Sequence, residues 1–373
     1  MIEIETTAIQ HSNLLTAHII QQIEANGGQI TFAQYMQQAL YAPSLGYYNA
    51  GAIKFGAGGD FVTAPELGAL FAKCLARQCE QIFANLPTRN ILELGAGSGK
   101  LACDLLQNMQ IDNYYILELS SDLRQRQQDQ INKICPQFAD KIHWLNKLPT
   151  ASFTGVILAN EVMDAMPISR FNFANNQLAE YYVTIATSGF VTTLGTATTS
   201  LSNAFEKAKL ATYLSQPYIS EINLWLTAWI RSLSECLANG AIILCDYGFP
   251  RTEYYHPQRY NGTLMCHYKH RCHDDPFIYV GLQDITAHVD FTAVAEAASS
   301  CDLEVAGYTN LASFLLNCDI TKFLEPSNIK QTQELQTLSS PAEMGELFKV
   351  IALTKNIEVE LLGFKYLDKC HTL

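Results

Sequence analysis

A short apolar run followed at once by three closely spaced glycines is the feature that most constrains this fold. Residues 91–94 read Ile-Leu-Glu-Leu, and Gly95, Gly97 and Gly99 follow with one residue between them. The run predicts a buried strand, and the pattern from Lys100 predicts a helix. Glycines let a backbone approach a ligand closely, and a helix N-terminus offers unpaired N–H groups to it. We therefore expect a small-molecule site where this strand ends.

Similar apolar runs alternate with helical patterns along the rest of the chain. Strands are predicted at residues 91–94, 114–119, 142–145, 155–159, 241–245, 304–308 and 348–354. Helices are predicted to follow the first two strands. Alternation of this kind is typical of βα units that build a parallel sheet. The sequence therefore predicts an α/β fold whose sheet is mostly parallel.

Two stretches interrupt this alternation, and a third precedes it. Residues 1–88 are predicted to form an N-terminal helical segment. Residues 89–373 are expected to form the domain that carries the sheet, with insertions at about 168–220 and 247–290. The first insertion is rich in Thr, Tyr and Phe, which favours antiparallel strands, and the second has an irregular pattern. The Gln-rich helix at 124–130 is expected to present a solvated face.

Composition argues against several classes of partner. Of 373 residues, 48% are apolar and 16% are charged, which is typical of a globular chain. The net charge of −12 repels phosphate backbones and anionic lipid, so nucleic acid and membrane surfaces are not expected partners and a cationic substrate is favoured. No apolar run reaches the roughly 20 residues that span a bilayer. Dispersed cysteines and an acidic, arginine-free N-terminal stretch favour a cytoplasmic location.

A carboxylate near the end of the second predicted strand adds to the glycine turn. Glu118 lies about 20 residues after the glycines, where a carboxylate can accept hydrogen bonds from both ribose hydroxyls. The alternative is a strand-end glutamate in water. A dinucleotide fingerprint of the form Gly-x-Gly-x-x-Gly would need glycine at position 100, where the chain has lysine. The combination resembles the class I S-adenosylmethionine-dependent methyltransferases, and a nucleotide-dependent dehydrogenase is disfavoured.

A third motif follows the fourth predicted strand, at the edge where open α/β sheets bind ligands. Asn160, Glu161 and Asp164 place an amide and two carboxylates there. Two acids could hold a guanidinium bidentately and orient it for attack on a methyl sulfonium. The alternative is a solvated loop in which Asp164 caps a turn. For the motif at 246–248, after the fifth strand, substrate contacts and capping of a turn both stay open.

An ordered set of motifs extends over nearly the whole chain. The motifs are Leu40-Tyr41-x-Pro43-x-x-Gly46-Tyr47-Tyr48, Gly59-Asp60-Phe61-x-Thr63-Ala64-Pro65-Glu66, the loop from Glu93 to Gly99, Asn160-Glu161-x-x-Asp164-Ala165-x-Pro167, Asp246-Tyr247-Gly248, Gly262-Thr263-Leu264 and Asp284-Ile285-Thr286-Ala287-His288-Val289-Asp290-Phe291. This set resembles the MidA and NDUFAF-type family of mitochondrial complex I assembly methyltransferases.

The resemblance implies a Rossmann-like class I fold with a seven-stranded, mostly parallel sheet and helices on both faces. An N-terminal helical lid and two insertions would build the substrate face. The implied cofactor is S-adenosyl-L-methionine. The implied reaction, in eukaryotes, is symmetric dimethylation of an arginine on a protein substrate that belongs to a respiratory complex, such as a complex I subunit. The alternative from another class is a non-catalytic assembly factor that keeps the same fold.

The resemblance also implies roles for individual residues. The cofactor-binding residues are expected to be Gly59, Asp60, Phe61, Glu93, Gly95, Gly97, Gly99, Glu118, Leu145 and Asn160. The three glycines after the first strand would admit the methionine part, Glu118 would hold the ribose and Leu145 would meet the adenine edge. Residues 59–61 would close as a lid, with ordinary turn chemistry as the alternative. Glu161 and Asp164 would be the catalytic residues that orient the target arginine.

A cluster of cysteines and histidines at 266–273 raises the question of a metal site. Zinc is usually bound by well-separated pairs such as C-x2-C with H-x3-H. Here His267, His270 and His273 recur at every third residue, and neither cysteine has a C-x2-C partner. No metal is therefore expected, and the segment is interpreted as surface-loop histidines. His288 is a separate candidate because the family motif contains it.

Overall fold

The computed structural model describes residues 6–50, 63–150, 152–215 and 217–373, so the expected lid residues Gly59, Asp60 and Phe61 lie outside the described residues. The α-helices of the described part are α1 (Thr6–Ala25), α2 (Phe32–Tyr41), α3 (Ala64–Leu67), α4 (Leu70–Phe83), α5 (Lys100–Asn108), α6 (Ser121–Ile134), α7 (Thr199–Lys207), α8 (Leu226–Cys236), α9 (Arg251–Tyr254), α10 (Phe291–Ser299), α11 (Leu311–Asn317), α12 (Ile329–Ser339) and α13 (Met344–Leu347). None of these helices is long and apolar enough to cross a membrane.

The strands of the described part are β1 (Ile30–Thr31), β2 (Ile91–Leu94), β3 (Tyr114–Leu117), β4 (Ile142–Leu145), β5 (Phe153–Asn160), β6 (Ser169–Ala174), β7 (Gln177–Ala186), β8 (Gly189–Thr196), β9 (Tyr218–Ile222), β10 (Leu237–Phe249), β11 (Met265–Tyr268), β12 (Arg271–His273), β13 (Asp284–Thr286), β14 (Val289–Asp290), β15 (Glu304–Asn310) and β16 (Phe348–Lys355). They form a central sheet and two smaller antiparallel sheets.

The central sheet carries the glycine turn. Its strands lie in the order β15-β16-β10-β5-β2-β3-β4, and the two-residue β14 pairs with β10. Neighbours from β10 to β4 are parallel, whereas β16 is antiparallel to both β10 and β15. This arrangement confirms the predicted seven-stranded, mostly parallel sheet. β10 extends beyond the predicted 241–245 in both directions because its backbone pairing with β5, β14 and β16 continues past the apolar run.

Helices cover both faces of the central sheet. Ile91 and Leu92 are consecutive in β2 and point to opposite faces, as side chains of a strand do. Ile91 joins a core that includes α4, α5 and α11, where Phe314 is fully buried. Leu92 joins a second core that includes Ile230 of α8 and Val294 of α10. The helix α4 precedes the first strand of this sheet in sequence, yet it packs directly in the central core.

A second unit is built from the two N-terminal helices and the two insertions. One antiparallel sheet has the order β1-β7-β6-β9, with β8 paired to β7, and another has the order β12-β11-β13. The second insertion therefore contains a regular three-stranded sheet where the sequence indicated an irregular segment. Phe32 and Tyr35 of α2 share one core with Val183 of β7 and Ile285 of β13. Segments far apart in sequence thus share one hydrophobic core.

An ion-pair network centred on a buried arginine ties the second insertion to the helix α10 that follows it. Arg251, directly after β10, is 6% exposed. Its Nε donates to Asp290 at 3.1 Å, and its two terminal nitrogens donate to the carboxylate of Glu296 at 2.6 and 2.7 Å. Asp290 also caps α10 by accepting from the Ala293 N–H. The network therefore joins the residue that begins this insertion to the helix that follows it.

Removing this arginine should destabilise the protein strongly. Replacing Arg251 by Met leaves Asp290 buried without its cation, and breaking a buried pair from one side costs about 3–5 kcal/mol. The exposed pair between Lys322 and Asp319 provides the matched control, because surface pairs contribute about 0–1 kcal/mol. Urea unfolding of Arg251→Met and Lys322→Met measures the difference. Equal losses of unfolding free energy would contradict this account.

Candidate active site

The turn after β2 depends on glycine. Gly95 and Gly97 have φ angles of 65° and 54°, in the left-handed region that favours glycine. A Cβ added at Gly95 would also lie 3.0 Å from the Cγ2 of Val162. Gly99, at φ 81°, precedes α5 as its N-terminal cap residue. The turn therefore keeps its backbone bare at the carboxyl end of the central sheet.

A cavity of about 270 Å³ opens beside this turn. Its lining includes seven of the residues expected to act, namely Glu93, Gly95, Gly97, Glu118, Asn160, Glu161 and Asp164. The volume is close to the lower end of the ~300–1,000 Å³ range of small-molecule pockets. Gly99 and Leu145 are not among the described lining residues. The carbonyl of Leu145 instead accepts from Arg124 at 3.0 Å.

Glu118 is held in place by a glutamine that the sequence pattern had assigned to a solvated face. Gln127 is fully buried, and its Nε2 donates to the Glu118 Oε2 at 3.0 Å and to the Gly97 carbonyl at 3.1 Å. Its own Oε1 accepts from the Trp144 indole at 3.0 Å. One side chain thus ties the glycine turn to the acid after β3. The expectation that residues 124–130 present a solvated face is wrong at Gln127, because i, i+4 spacing from Leu123 turns this side chain inward.

Glu93 lies at the bottom of the cavity. It is 3% exposed, and its Oε2 accepts a hydrogen bond from the Tyr114 hydroxyl at 2.7 Å. Burial raises the pKa of Glu93 to about 7, against the lowering effect of the tyrosine bond. This carboxylate is therefore a partner for a hydrogen-bond donor or a cation that enters the cavity.

The loop after β5 places two acids on the opposite side of the cavity. Glu161 has a φ of 52°, unusual for a non-glycine residue, and its Oε1 accepts from the Asn160 amide at 3.0 Å. Asp164 accepts a short hydrogen bond from the Tyr247 hydroxyl. A strained backbone such as that of Glu161 persists where the surroundings hold it, and it is frequent at functional sites.

The carboxylate of Asp246 holds that loop. It is fully buried, and its Oδ2 accepts from the backbone N–H groups of residues 162, 163 and 164 at 3.2, 2.9 and 3.3 Å. Its Oδ1 accepts from the Tyr247 N–H at 2.9 Å. Asp246 therefore caps the turn, a role that the sequence had left open between capping and substrate contact. Asp164 is thereby left to point its side chain at the cavity.

Among the residues that the structure describes, two buried oxygens of this loop have no hydrogen-bond partner, the Oδ1 of Asn160 and the Oδ1 of Asp164. Burial and the neighbouring Asp164 raise the pKa of Glu161 to about 8. Burial also raises the pKa of Asp164 to about 6, although the Tyr247 bond opposes the shift. Unsatisfied buried acceptors beside raised carboxyl pKa values are typical of sites that bind a donor or a cation.

Aromatic residues from the second unit form the facing wall. Tyr41 and Tyr48 are stacked with their ring centroids 5.5 Å apart, and both line the cavity. The Tyr48 hydroxyl donates to Asp284 at 2.9 Å, and the Tyr41 hydroxyl donates to the Ala165 carbonyl at 2.8 Å. Sequence reasoning placed both tyrosines in a family motif but gave them no role. Their distance along the chain from the glycine turn hides this contact.

The cavity also has an apolar rim. Leu119, which is 79% exposed, and Trp229 of α8 line it beyond Glu118. Exposed apolar side chains beside a polar pocket are typical of ligand sites. The sequence offered no signal for Trp229, since its helix lies in a segment between the first insertion and β10.

The histidine and cysteine segment lies outside this cavity. The Nδ1 of His267 is 3.4 Å from the Sγ of Cys272. In the described ranges, no group of three or more His, Cys, Asp or Glu side chains is arranged to hold a metal ion. His288 packs edge-on against Tyr247 with centroids 5.1 Å apart, and burial lowers its pKa to about 4. His288 is therefore a neutral packing partner of a residue that contacts Asp164.

Comparison with known proteins identifies the family. Residues 74–309 match the family described as "Putative S-adenosyl-L-methionine-dependent methyltransferase". A COG1565 superfamily member from Burkholderia thailandensis, solved with bound S-adenosyl-homocysteine, is 42% identical over 100% of both chains with a TM-score of 0.95. The protein arginine methyltransferase NDUFAF7 of Danio rerio is 27% identical over 380 residues, covering 90% of this chain and 86% of its own. The Drosophila melanogaster homologue is 25% identical and covers 87% and 82%. These matches confirm the predicted family, and the chain belongs to the S-adenosyl-L-methionine-dependent methyltransferases of this type.

Proposed function

We propose that this methyltransferase acts on the guanidinium group of an arginine in a protein. The observation that carries the proposal is the pair of buried oxygens without partners on Asn160 and Asp164, beside the carboxylate of Glu161. A guanidinium presents five N–H donors and no acceptor, and its planar fork matches carboxylates bidentately. Asn160, Glu161 and Asp164 form the side of the cavity where the methyl acceptor would bind, which we call the acceptor side. This side therefore has the chemistry that a guanidinium needs.

The charges around the cavity support a cationic acceptor. Glu161 and Asp164 face it, with Asp284 held by Tyr48 behind them. In the described part of the lining, Lys100 is the one cation, and it donates to the Gly68 carbonyl at 3.1 Å and to Asp104. Glu161 and Asp164 therefore have no neutralising side chain among the described lining residues. The names of the curated relatives, which are protein arginine methyltransferases, agree with this assignment.

The other side of the cavity suits S-adenosyl-L-methionine, which supplies an electrophilic methyl group. Gly95 and Gly97 leave room beside the backbone for the methionine part, and Glu93 is within reach of an ammonium group. Glu118, fixed by Gln127, is placed to accept from the ribose hydroxyls. Trp229 is the aromatic wall for the adenine, because it lines the cavity whereas Leu145 is not among the described lining residues.

The protein side chains would orient the acceptor and take its proton. Asp164, held by Tyr247, would grip one edge of the guanidinium, and Glu161 would grip the neighbouring nitrogen. An arginine keeps its proton in water because its pKa exceeds about 12, so the proton must leave as the new N–C bond forms. Glu161, in contact with the guanidinium, would take this proton.

The finer assignments rest on the family resemblance. We propose symmetric dimethylation of an arginine on a respiratory complex I subunit as the physiological reaction. The curated relatives carry mitochondrial names, whereas we propose the cytoplasm here because all eleven cysteines are free thiols, most of them buried.

An assembly factor without turnover is the competing function. Incubation with methyl-labelled cofactor and lysate of the source cells, followed by mass spectrometry, should find label on arginine, and unlabelled protein would favour that competitor.

Substitution of the loop acids should slow methyl transfer without weakening cofactor binding. Glu161→Gln should bind S-adenosyl-homocysteine as tightly as the parent but methylate at least about 100-fold more slowly, because the lost contacts act on the acceptor in the transition state. Calorimetry and single-turnover labelling measure the two effects. The exposed Glu24→Gln provides the control with the same chemical change. Parent rates in both Glu161→Gln and Asp164→Asn would refute the acceptor site.

The ribose assignment predicts a loss of cofactor affinity. Glu118→Ala should weaken S-adenosyl-homocysteine binding by about 1–3 kcal/mol, since the buried ribose hydroxyls lose the carboxylate that accepts their hydrogen bonds. Asp129→Ala removes an exposed carboxylate from α6, the helix that carries Gln127, and should bind like the parent. Isothermal calorimetry measures both. An unchanged dissociation constant for Glu118→Ala would mean that the ribose lies elsewhere.

The raised carboxyl pKa should appear in the stability of the cofactor-free protein. Between about pH 4.5 and 8 the folded state binds more protons at Glu161 than the unfolded chain does, so the unfolding free energy should fall as pH rises through this window. Glu161→Gln should flatten that slope and be more stable than the parent at pH 8, by on the order of 1–3 kcal/mol. Urea unfolding at pH 6 and pH 8 tests this, with Glu24→Gln as control. Identical slopes in parent and Glu161→Gln would contradict it.

A further inference from the structure

The strand β8 presents an unprotected edge. It pairs with β7 through eight consecutive residue pairs, from Ala179 with Thr196 to Ala186 with Gly189, without a bulge. Among the described strands it has no partner on its other side. Its backbone N–H and C=O groups on that side therefore lie along a regular ladder that is open to pairing, apart from the Thr196 carbonyl, which accepts from the Tyr182 hydroxyl at 2.9 Å.

Edge strands of this length are usually guarded. Charged side chains, prolines and bulges prevent the open ladder from pairing with another chain. The sequence of β8, Gly-Phe-Val-Thr-Thr-Leu-Gly-Thr, has none of these features, and residues 181–205 contain no Asp, Glu, Lys or Arg. Leu194 in its middle is 51% exposed, and Ile185 on the neighbouring strand is 39% exposed. The edge is neutral, partly apolar and free of the usual obstacles.

We propose that β8 pairs antiparallel with β8 of a second copy of this chain, so that the two insertion sheets join across a twofold axis. The chain carries a net charge of −12, and this neutral stretch is where two copies can meet with no charged side chains in contact. Glu180 on β7 does not alter this, because it is 1% exposed and accepts from the Thr198 N–H at 2.8 Å.

The side chains of β8 are self-complementary in one register. Directly opposed residues of antiparallel strands share a face of the sheet, and Phe190, Thr192 and Leu194 share one face of β8. Centring the twofold axis on Thr192 places Thr192 opposite its own copy and Phe190 opposite Leu194 of the second copy. Phe190, whose ring already packs edge-on against Tyr35 of its own chain, then lies beside the exposed leucine and extends that apolar contact across the interface.

The pairing would also bear on the acceptor side of the cavity. The helix α2 packs on β6 and β7 of the same sheet, and its last residue, Tyr41, lines the cavity. In the dimer, the joined sheet would support α2, and with it the cavity wall at Tyr41, in both copies. The dimer itself does not depend on the proposed arginine substrate.

Sedimentation analysis of the full chain tests the pairing. The parent should be a dimer at micromolar concentration, twice the chain mass of 41.5 kDa. Thr192→Lys should raise the dimer dissociation constant at least tenfold, because two lysines meet at the axis. Thr187→Lys adds the same charge at the exposed hairpin turn and should remain dimeric. An unchanged circular-dichroism spectrum and unchanged S-adenosyl-homocysteine binding in Thr192→Lys would exclude misfolding as the cause.

Charge rescue makes the test specific for this register. Mixing Thr192→Lys with Thr192→Glu should restore a dimer, since the opposed residues then attract. A parent that stays monomeric at 100 µM would overturn the proposal. A dimer that survives Thr192→Lys, or a mixture that fails to reassociate when each single variant is monomeric, would also overturn it.

Discussion

The acceptor side of this site depends on one buried carboxylate. Asp246 receives the N–H groups of residues 162 to 164, and so closes a turn that keeps Glu161 at a positive φ. The next residue, Tyr247, donates to Asp164 from the same strand end. Two neighbours on β10 thus fix both the backbone and the side chain of the loop after β5. Without that hold, neither acid would have a defined direction.

The arrangement concentrates negative charge where water is scarce. Burial raises the pKa of Asp246 well above its ordinary value, and the charges of Asp164 and Glu161 raise it further. Such a cluster destabilises the protein unless protons or a cation neutralise it. Stability given up here is the usual accompaniment of a preorganised site. A bound guanidinium would relieve that repulsion and satisfy the unpartnered oxygens at the same time.

The cavity lies between the central sheet and the second unit, which is built from the N-terminal helices and the two insertions. The central sheet provides the glycine turn and Glu118, which suit the cofactor that the whole family shares, and it also provides the loop acids of the proposed acceptor site. The second unit provides Tyr41 and Tyr48, which line the same cavity, and Asp284, which accepts from Tyr48. A common fold can therefore serve this chemistry, and the proposed acceptor site would take its specificity from the insertions. The open edge of β8 belongs to that same second unit.

Local patterns by themselves determined the central sheet, the glycine turn and the position of Glu118, because each depends on residues that are close in sequence. The residues 91–94 formed the predicted strand, and the motif after β5 faces the predicted cavity. Only the tertiary structure decided that Gln127 is buried against Glu118, that Asp246 caps the loop, and that Tyr41 and Trp229 line the same cavity. Gln127 and Glu118 are nine residues apart in different elements, and the other contacts join segments that are much farther apart in the chain. Side-chain spacing along one helix or strand carries no information about which distant backbone N–H or carbonyl it will meet.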